Sequence, residues 1–202
     1  MNTTIAWGMP IACMARTVIC NAAFDWKEVR VWSRSKATLD HFAKEQRPKC
    51  ENFTITTSTD IEKTVGGADI GVTLTPARNP MVMADWISPG THIAAEGAGK
   101  KGDQELEGKL LKGARIFVDD IRQCRTDGEI KVPLPEGLTA RADLVREIGK
   151  LVTAKKKGRA LDTETTIFEP TGIALKDSAT VPVEYERAMA AGVGIEKKMI
   201  ST

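Results

Sequence analysis

A serine, an arginine and a second serine, Ser33, Arg34 and Ser35, stand in a row directly after the β-rich run at residues 29–32. A guanidinium group with neighbouring hydroxyls can hold a phosphate through charge-assisted hydrogen bonds. After the second strand of a dinucleotide-binding sheet, an acid binds the ribose hydroxyls of NAD, whereas an arginine suits the 2′-phosphate of NADP. No carboxylate stands there. The triplet therefore predicts a phosphate subsite that prefers NADP(H) over NAD(H).

A turn that could accept a pyrophosphate follows the first apolar run, residues 4–7. Such turns usually read G-x-G-x-x-G or G-x-G-x-x-A, because bare backbone must approach the phosphates. Here Gly8 stands at the first position, Pro10 at the second and Cys13 at the third. Proline removes one N–H, but the N-terminus of a following helix still supplies amides and a positive dipole end. This turn by itself is a weak signal.

Six β-rich runs and the helical runs between them would have to position these residues. The β-rich runs centre about 17 to 25 residues apart, the span of a strand, a crossover and the return to a parallel neighbour. They are residues 4–7, 29–32, 53–56, 70–74, 91–95 and 115–118. The helical runs are residues 11–23, 36–46, 60–65 and 104–111. Before the third helical run, Thr59 and Glu62 have the spacing of a capping box.

The alternation predicts an α/β fold: a doubly wound parallel sheet, that is, a Rossmann-type NAD(P)-binding domain with a C-terminal helical extension. Ligands of such sheets bind at the carboxyl ends of the strands, so Gly8, Ser33 and Thr75 are expected at one edge. We expect the dinucleotide-binding core over residues 1–135 and its completion over residues 136–202. The later elements are expected to be a helix over 140–154, a strand over 165–168 and a helix over 173–191.

Composition argues against several other classes of protein. Hydrophobic residues make up 42% and charged residues 28%, a soluble globular balance. The net charge of +2 is too small to indicate nucleic acid or an anionic membrane as a partner, and no apolar run is long enough for a membrane helix. The four cysteines form no CxxC pair and there are two histidines, so no metal site is expected. Such thiols are typical of a cytoplasmic protein.

Two charged features are interpreted as structural. The basic run at residues 155–159 is typical of a solvated helix end, because basic side chains suit a helix C-terminus. Asp103 is interpreted as a residue at the N-terminus of the helix predicted over residues 104–111, where the helix dipole favours a carboxylate.

Many short motifs together resemble the ornithine cyclodeaminase and mu-crystallin family. They follow the family's order and spacing, and the match runs from about residue 3 to about residue 195. The motifs lie at residues 28–35, 67–76, 89–93, 97–98, 104–106, 118–120, 128–129 and 168–174. The resemblance implies binding of NAD or NADP and action on a small amino or imino acid. The family includes ornithine cyclodeaminases, alanine dehydrogenases, and ketimine or pyrroline-carboxylate reductases.

The resemblance also implies roles for individual positions. The pyrophosphate turn would be formed by Gly8, Ile11 and Ala12. The adenosine ribose and its phosphate would be bound by Ser33, Arg34 and Ser35. The nicotinamide half would be bound by Thr75, Glu96, Gly97, Ala98 and Gly99. Pro170 would lie near the nicotinamide, and Thr171 near the substrate.

The first glycine motif aligns with the family in two ways. With Gly8 as the first glycine, the distance to Glu28 is preserved. Alternatively, residues 15–17 (Ala-Arg-Thr) match the family's small-Arg-Thr triplet, which places Pro10 and Ala12 at both glycine positions. The sequence does not decide between these alignments.

Two further departures from the family concern catalysis. The acid that shuttles the substrate proton in cyclodeaminases follows Gly97 and Ala98, and that position is Gly99 here. Some imine-reducing members also lack this acid, so its absence argues against a cyclodeaminase more than against a reductase, and no catalytic residue is assigned. The family's N-terminal domain for substrate binding and homodimer formation is also expected to be missing, as in a truncated product or one whose N-terminal half is a separate polypeptide.

Three hypotheses for function follow from these observations. The first is an NAD(P)-dependent oxidoreductase or deaminase of small amino or imino acids, in which the cofactor carries the chemistry. The second is a non-catalytic NADP-binding protein in the manner of a crystallin. The third is a defective fragment in which the Rossmann fold persists. The strand and turn motifs favour the first, whereas Gly99 and the missing domain favour the other two for this isolated chain.

Overall fold

The computed structural model describes residues 27–50, 53–100, 102–124, 126–130, 145–195 and 197. The strand predicted over residues 4–7 and the helix predicted over residues 11–23 lie outside this part of the chain. The described strands are β1 (Glu28–Trp32), β2 (Thr54–Ser58), β3 (Ile70–Thr73), β4 (His92–Ala95), β5 (Arg115–Val118), β6 (Val145–Glu147) and β7 (Thr166–Glu169). The described α-helices are α1 (Lys36–Gln46), α2 (Ile61–Val65), α3 (Gly108–Gly113), α4 (Ile121–Cys124), α5 (Ile148–Val152) and α6 (Ala174–Ala191). Short 3₁₀ turns span Arg47–Lys49 and Ala84–Trp86.

The strand pairings confirm the predicted parallel α/β architecture. β1 and β2 form one parallel pair, and five strands form a sheet in the order β3-β4-β7-β5-β6, in which each neighbouring pair is parallel. β7, far downstream in the sequence, lies between β4 and β5, so the carboxyl end of β7 joins the same edge as theirs. That edge is where a parallel sheet of this kind binds its ligands.

Two apolar clusters hold these strands in place. The larger one covers the five-stranded sheet, and its most deeply buried members are Ile93, Leu106, Leu111, Ile116, Val118 and Ile167. The smaller one joins β1 and β2 to α1 and β3 through Val29, Val31, Leu39, Phe42, Ile55, Val72 and Leu74. Burial of such side chains contributes about 1.5–3 kcal/mol each, so the strand ends are fixed by the core beneath them.

Helix α1 follows from its sequence. Ser35 caps its N-terminus, and the Ser35 hydroxyl oxygen accepts a hydrogen bond from the Thr38 amide at 3.3 Å. The buried residues of the helix, Leu39, Phe42, Ala43 and Gln46, recur at helical spacing and form one face. The helix thus begins immediately after the Ser33–Arg34–Ser35 triplet, which fixes the triplet at the end of β1.

Three predictions about local structure were wrong. The cap of α2 is Asp60, whose side chain accepts from the Lys63 amide at 3.2 Å, rather than Thr59 of the proposed capping box. Part of the helix predicted over residues 140–154 is strand β6, because Val145–Glu147 pairs with β5 and tertiary pairing overrides local propensity. Helix α3 begins at Gly108, since the backbone amides of Glu105 and Leu106 donate to the Glu129 carboxylate instead.

The chain divides into two compact units, Met1–Thr171 and Gly172–Thr202. The first contains the strands described above. The second contains α6, which ends at Gly192 in a left-handed conformation, as a helix C-terminus favours. The predicted division of the chain at residue 135 stays a prediction.

Candidate functional site

A cavity of about 520 Å³ lies at the carboxyl ends of β1 and β3. One wall is formed by the residues that end β1 and begin α1: Trp32, Ser33, Arg34, Ser35 and Thr38. The other wall is formed by the residues that follow β3: Thr75, Pro76, Ala77, Arg78, Asn79 and Met81. The structure thus brings Ser33, Arg34, Ser35 and Thr75 together around one cavity, as predicted for a dinucleotide-binding edge.

Backbone hydrogen bonds fix the two serines of the triplet. Ser33 is buried, and its hydroxyl oxygen accepts from the Ser35 amide at 3.3 Å. The Ser35 hydroxyl oxygen accepts from the Thr38 amide, so each hydroxyl hydrogen can donate to another acceptor. Arg34 between them is exposed on the cavity wall. The turn therefore presents one guanidinium group and two oriented hydroxyls, a set that suits a phosphate.

Thr75 is buried at the end of β3 and is tied to its surroundings from both sides. Its amide donates to Oε1 of Glu105 at 2.5 Å. Its hydroxyl oxygen accepts from the amide of Ala77 at 3.3 Å. These bonds hold the chain as it turns from β3 towards Arg78 and Asn79.

Arg78 and Asn79 also line the cavity, and sequence reasoning did not single them out. The available signal was their position just beyond Thr75 and Pro76, at the carboxyl end of a buried strand. Their position opposite the triplet gives the cavity a second guanidinium group. The described lining of the cavity thus contains two cationic side chains, those of Arg34 and Arg78.

The predicted loop after β4, residues 96–99, lies outside the residues that line this cavity. Glu96 and Gly99 are exposed, and Ala98 is buried. The Gly97 amide donates to Oε2 of Glu105 at 3.0 Å. A Cβ atom at position 97 would collide with the Glu105 carboxylate and the Thr75 amide, so glycine is required by this close approach. The turn at Gly97 is therefore adjacent to Thr75, although it is not part of the cavity wall.

Pro170 and Thr171, directly after β7, also lie outside the residues that line the cavity. The Thr171 carbonyl accepts from the Gln123 side-chain amide at 3.2 Å, and its hydroxyl lies 3.9 Å from the Cys124 sulfur. The pKa of the Cys124 thiol is raised to about 12, first by burial and then by the charge of Glu169, so this thiol is not a nucleophile.

The predicted pyrophosphate residues Gly8, Ile11 and Ala12 lie outside the described residues.

Three fully buried carboxylates are a feature that sequence reasoning did not assign to any role. Glu105 and Glu129 are 0% exposed and Glu169 is 1% exposed. Burial raises the pKa of Glu105, against the hydrogen bonds that it accepts. Burial, and then the charges of Glu105 and Glu169, raise the pKa of Glu129 from 4.5 to about 8. In the sequence, a role for these three glutamates was indicated by their positions, since each stands in a motif of the family resemblance.

This raised pKa predicts that stability falls with rising pH. Because the unfolded chain releases the Glu129 proton near pH 4.5 and the folded chain near pH 8, the folded state binds the extra proton between these values. The contribution of Glu129 to the free energy of unfolding is then fully present below pH 4.5 and falls as pH rises to about 8, by up to about 1.4 kcal/mol per pH unit. Urea unfolding at several pH values between 5 and 9 measures this slope.

The variant Glu129→Gln should flatten the slope, because its amide does not titrate. Glu164→Gln is the matched control: the Arg115 ion pair lowers the pKa of Glu164, so its titration lies below this window. The control should lose stability but keep the wild-type slope. An unchanged slope in Glu129→Gln would contradict the assignment.

Of the two charged features interpreted as structural, the interpretation of Asp103 was wrong. Asp103 is buried, but it does not stand at a helix N-terminus, since α3 begins at Gly108 with Glu107 as its N-cap. The basic run at residues 155–159 follows helix α5, and its four basic residues are exposed, as predicted. Arg159 also makes hydrogen bonds within the protein. Its guanidinium group donates to the Gly90 carbonyl at 2.7 Å and to the Thr166 hydroxyl at 3.0 Å, which ties the run to the sheet.

The described part of the chain contains neither a metal-binding cluster nor a membrane-spanning helix. In that part of the chain, no group of three or more histidine, cysteine or acidic residues is arranged to hold a metal ion. None of the helices described there combines the length and apolar character needed to cross a membrane.

The parallel sheet and the cavity at its carboxyl edge define a Rossmann-type dinucleotide-binding domain. The sequence matches the ornithine cyclodeaminase/mu-crystallin family over residues 4–192. The chain belongs to this family, which confirms the resemblance found from the motifs.

Relatives of known name and structure agree with this membership. The chain is 40% identical over 176 residues to an alanine dehydrogenase of Archaeoglobus fulgidus, a match that covers 87% of this chain and 53% of the relative. It is 28% identical to the ketimine reductase mu-crystallin of Rattus norvegicus, over 89% of this chain and 53% of that protein. The chain thus spans about half the length of these relatives.

Solved structures show the same fold. An archaeal alanine dehydrogenase dimer with bound NAD superposes with a TM-score of 0.85 at 32% identity, over 98% of this chain and 61% of that one. The Δ1-pyrroline-2-carboxylate reductase of Thermococcus litoralis, in complex with NADH and L-proline, superposes with a TM-score of 0.86 at 25% identity, over 97% and 61%. Both structures contain a bound nicotinamide dinucleotide.

Proposed function

We propose that this chain is the cofactor-binding part of an NADP(H)-dependent oxidoreductase that acts on a small amino or imino acid. The observation that carries the proposal is the cavity at the ends of β1 and β3, with Ser33, Arg34 and Ser35 on one wall. Its volume of about 520 Å³ suits part of a dinucleotide, since ligand pockets span about 300–1,000 Å³.

The preference for NADP(H) rests on the charge of this cavity. Among the described residues that line it, none is a carboxylate, and two are the arginines Arg34 and Arg78. An acid at the end of β1 would hydrogen-bond the ribose 2′-hydroxyl of NAD and repel the 2′-phosphate of NADP. Arg34 and the hydroxyls of Ser33 and Ser35 would instead donate to that phosphate.

The nicotinamide half of the cofactor is proposed to lie towards Thr75, the loop at residues 96–99 and Pro170, with the substrate near Thr171. The hydrogen bonds that join Thr75 and Gly97 to Glu105 support placing the two turns in one site. The bound nicotinamide would supply or accept hydride at the carbon that bears nitrogen. The protein's own residues would bind and orient it. No side chain of this chain is assigned to acid–base catalysis.

The wider setting is proposed from the relatives. One similar structure is an alanine dehydrogenase dimer, which favours a homodimer for this protein. Another holds L-proline, which favours a small amino or imino acid as the substrate. The scattered cysteines favour a cytoplasmic location.

A second candidate is a non-catalytic NADP-binding protein. The observation that favours it is Gly99, which carries no side chain at the position of the family's acid. Oxidation of NADPH on addition of 1-pyrroline-2-carboxylate distinguishes the two candidates when it is assayed on a protein that includes a substrate-binding domain. Turnover there supports the enzyme, and binding of NADPH without turnover there supports the second candidate.

Calorimetric titration of the purified chain with NADPH and with NADH tests the proposed cofactor. We expect NADPH to bind about ten- to a hundredfold more tightly, because a hydrogen bond to a charged group contributes about 1.5–3 kcal/mol. Equal affinities would contradict the preference for NADP(H). Absence of binding for both cofactors would contradict the proposed function itself.

A further inference from the structure

Three motifs of the family resemblance contribute no residue to the described lining of the cavity, and each contains a fully buried glutamate. Glu105 lies in the segment between β4 and α3, Glu129 follows α4, and Glu169 ends β7. Burying a carboxylate is costly unless hydrogen bonds compensate for the lost water. Three such groups close to one sheet edge therefore indicate a specific role for that arrangement.

The Glu105 carboxylate joins the ends of two neighbouring strands. Oε1 accepts from the Thr75 amide at 2.5 Å, just after β3, and Oε2 accepts from the Gly97 amide at 3.0 Å, just after β4. One side chain thus satisfies one amide from each turn and fixes the separation between the turns. These are the two turns assigned above to the nicotinamide half.

A second carboxylate holds the first one in place. Glu129 accepts from the backbone amide of Glu105 at 2.6 Å and from that of Leu106 at 3.1 Å. The carbonyl of Glu105 in turn accepts from the amides of Met81 and Val82 at 2.8 and 3.0 Å. The backbone that carries the Glu105 side chain is therefore fixed on both sides.

The third carboxylate extends this arrangement to β7. Oε1 of Glu169 accepts from the Ile130 amide at 3.4 Å, next to Glu129. A Cβ atom at Gly128 would collide with the Glu169 carboxylate, just as one at Gly97 would collide with that of Glu105. The backbone is therefore packed directly against both carboxylates, which leaves little room for the turns to shift.

We infer that Glu105, held by Glu129, is a positioning residue for the nicotinamide end of the site, because it sets the distance between the turns at Thr75 and Gly97. The inference rests on the proposed function. It assigns to Glu105 no contact with the cofactor: Glu105 acts through the two backbone amides that it binds.

Titration of Glu105→Gln with two ligands tests this role. The side-chain amide of glutamine would place a donor against one of the two backbone donors, without a change in volume. NADPH contains both halves of the cofactor, whereas 2′,5′-ADP contains only the adenosine half. We expect the affinity for NADPH to fall about tenfold or more and that for 2′,5′-ADP to change less than about twofold.

Glu107→Gln is the matched control. Glu107 lies in the same segment, and its carboxylate also accepts a hydrogen bond from a backbone amide, that of Ala84 at 2.8 Å. It makes no such bond to the turn at Thr75 or to the turn at Gly97. Its variant should bind both ligands like the wild type. A purely structural role for Glu105 would weaken both ligands equally, and that result, or no loss for NADPH, would overturn the inference while leaving the proposed function intact.

Amide hydrogen exchange of the ligand-free chain supplies a readout that needs no cofactor. In Glu105→Gln, protection at Thr75 and Gly97 should fall at least about tenfold, while that at Ile116 in β5 stays as in the wild type. Unchanged protection at Thr75 and Gly97 would overturn the inference. Failure of the wild-type chain to bind either ligand would instead refute the proposed function, and with it the role of Glu105 in cofactor binding.

Discussion

Replacement of Gly128 by alanine should destabilise the protein by about 3 kcal/mol or more. Gly128 is buried and has φ = +102°, a conformation that residues with a Cβ atom rarely adopt. Its added Cβ would also collide with Oε1 of Glu169 and lie 3.4 Å from a methyl carbon of Thr171. Because the Glu169 side chain is fully buried, it has little room to move away. Urea denaturation, followed by circular dichroism, measures the loss.

Two other glycines separate the causes of this loss. Gly102 has φ = +89° but open space around its Cβ position, so Gly102→Ala should cost only the backbone strain, about 1–2 kcal/mol. Gly149 lies in helix α5 without close contacts, so Gly149→Ala should be neutral or stabilise by up to about 1 kcal/mol. A Gly128→Ala variant no less stable than Gly102→Ala would show that the Glu169 carboxylate is not fixed there.

The apolar strands of this fold were predictable from sequence because their pattern is local. The four-residue strand β5 was predicted with its observed ends, and so was helix α1, whose buried face repeats every three to four residues. Strand β6 was not predictable in this way. Its three residues are extended because they pair with β5, and nothing within so short a segment indicates that partner.

The cavity was predictable in part for the same reason. The Ser33–Arg34–Ser35 triplet follows a recognisable strand, and its chemistry is evident from the residue types. Arg78 was missed because its significance depends on the distance across the cavity, which the sequence does not contain. The role of Glu105 was missed because buried carboxylates and exposed ones look alike in a sequence. Only the structure shows that its partners are amides of two separate turns.

Removal of the Arg34 side chain should abolish most of the preference for NADP(H). In Arg34→Ala, the 2′-phosphate would lose a charge-assisted hydrogen bond, and the affinity for NADPH should fall about ten- to a hundredfold. NADH has no 2′-phosphate, so its affinity should change little. Lys36→Ala is the control: Lys36 is 79% exposed, pairs with Asp40 on the surface of α1 and is not among the residues that line the cavity.

The ratio of the NADPH and NADH affinities, measured by calorimetry in the wild type and in Arg34→Ala, therefore tests the central claim most directly. The structure predicts a ratio of about ten to a hundred in favour of NADPH for the wild type and for Lys36→Ala, and a ratio near one for Arg34→Ala. The same ratio in all three proteins would contradict the assignment of this cavity to the 2′-phosphate of NADP(H).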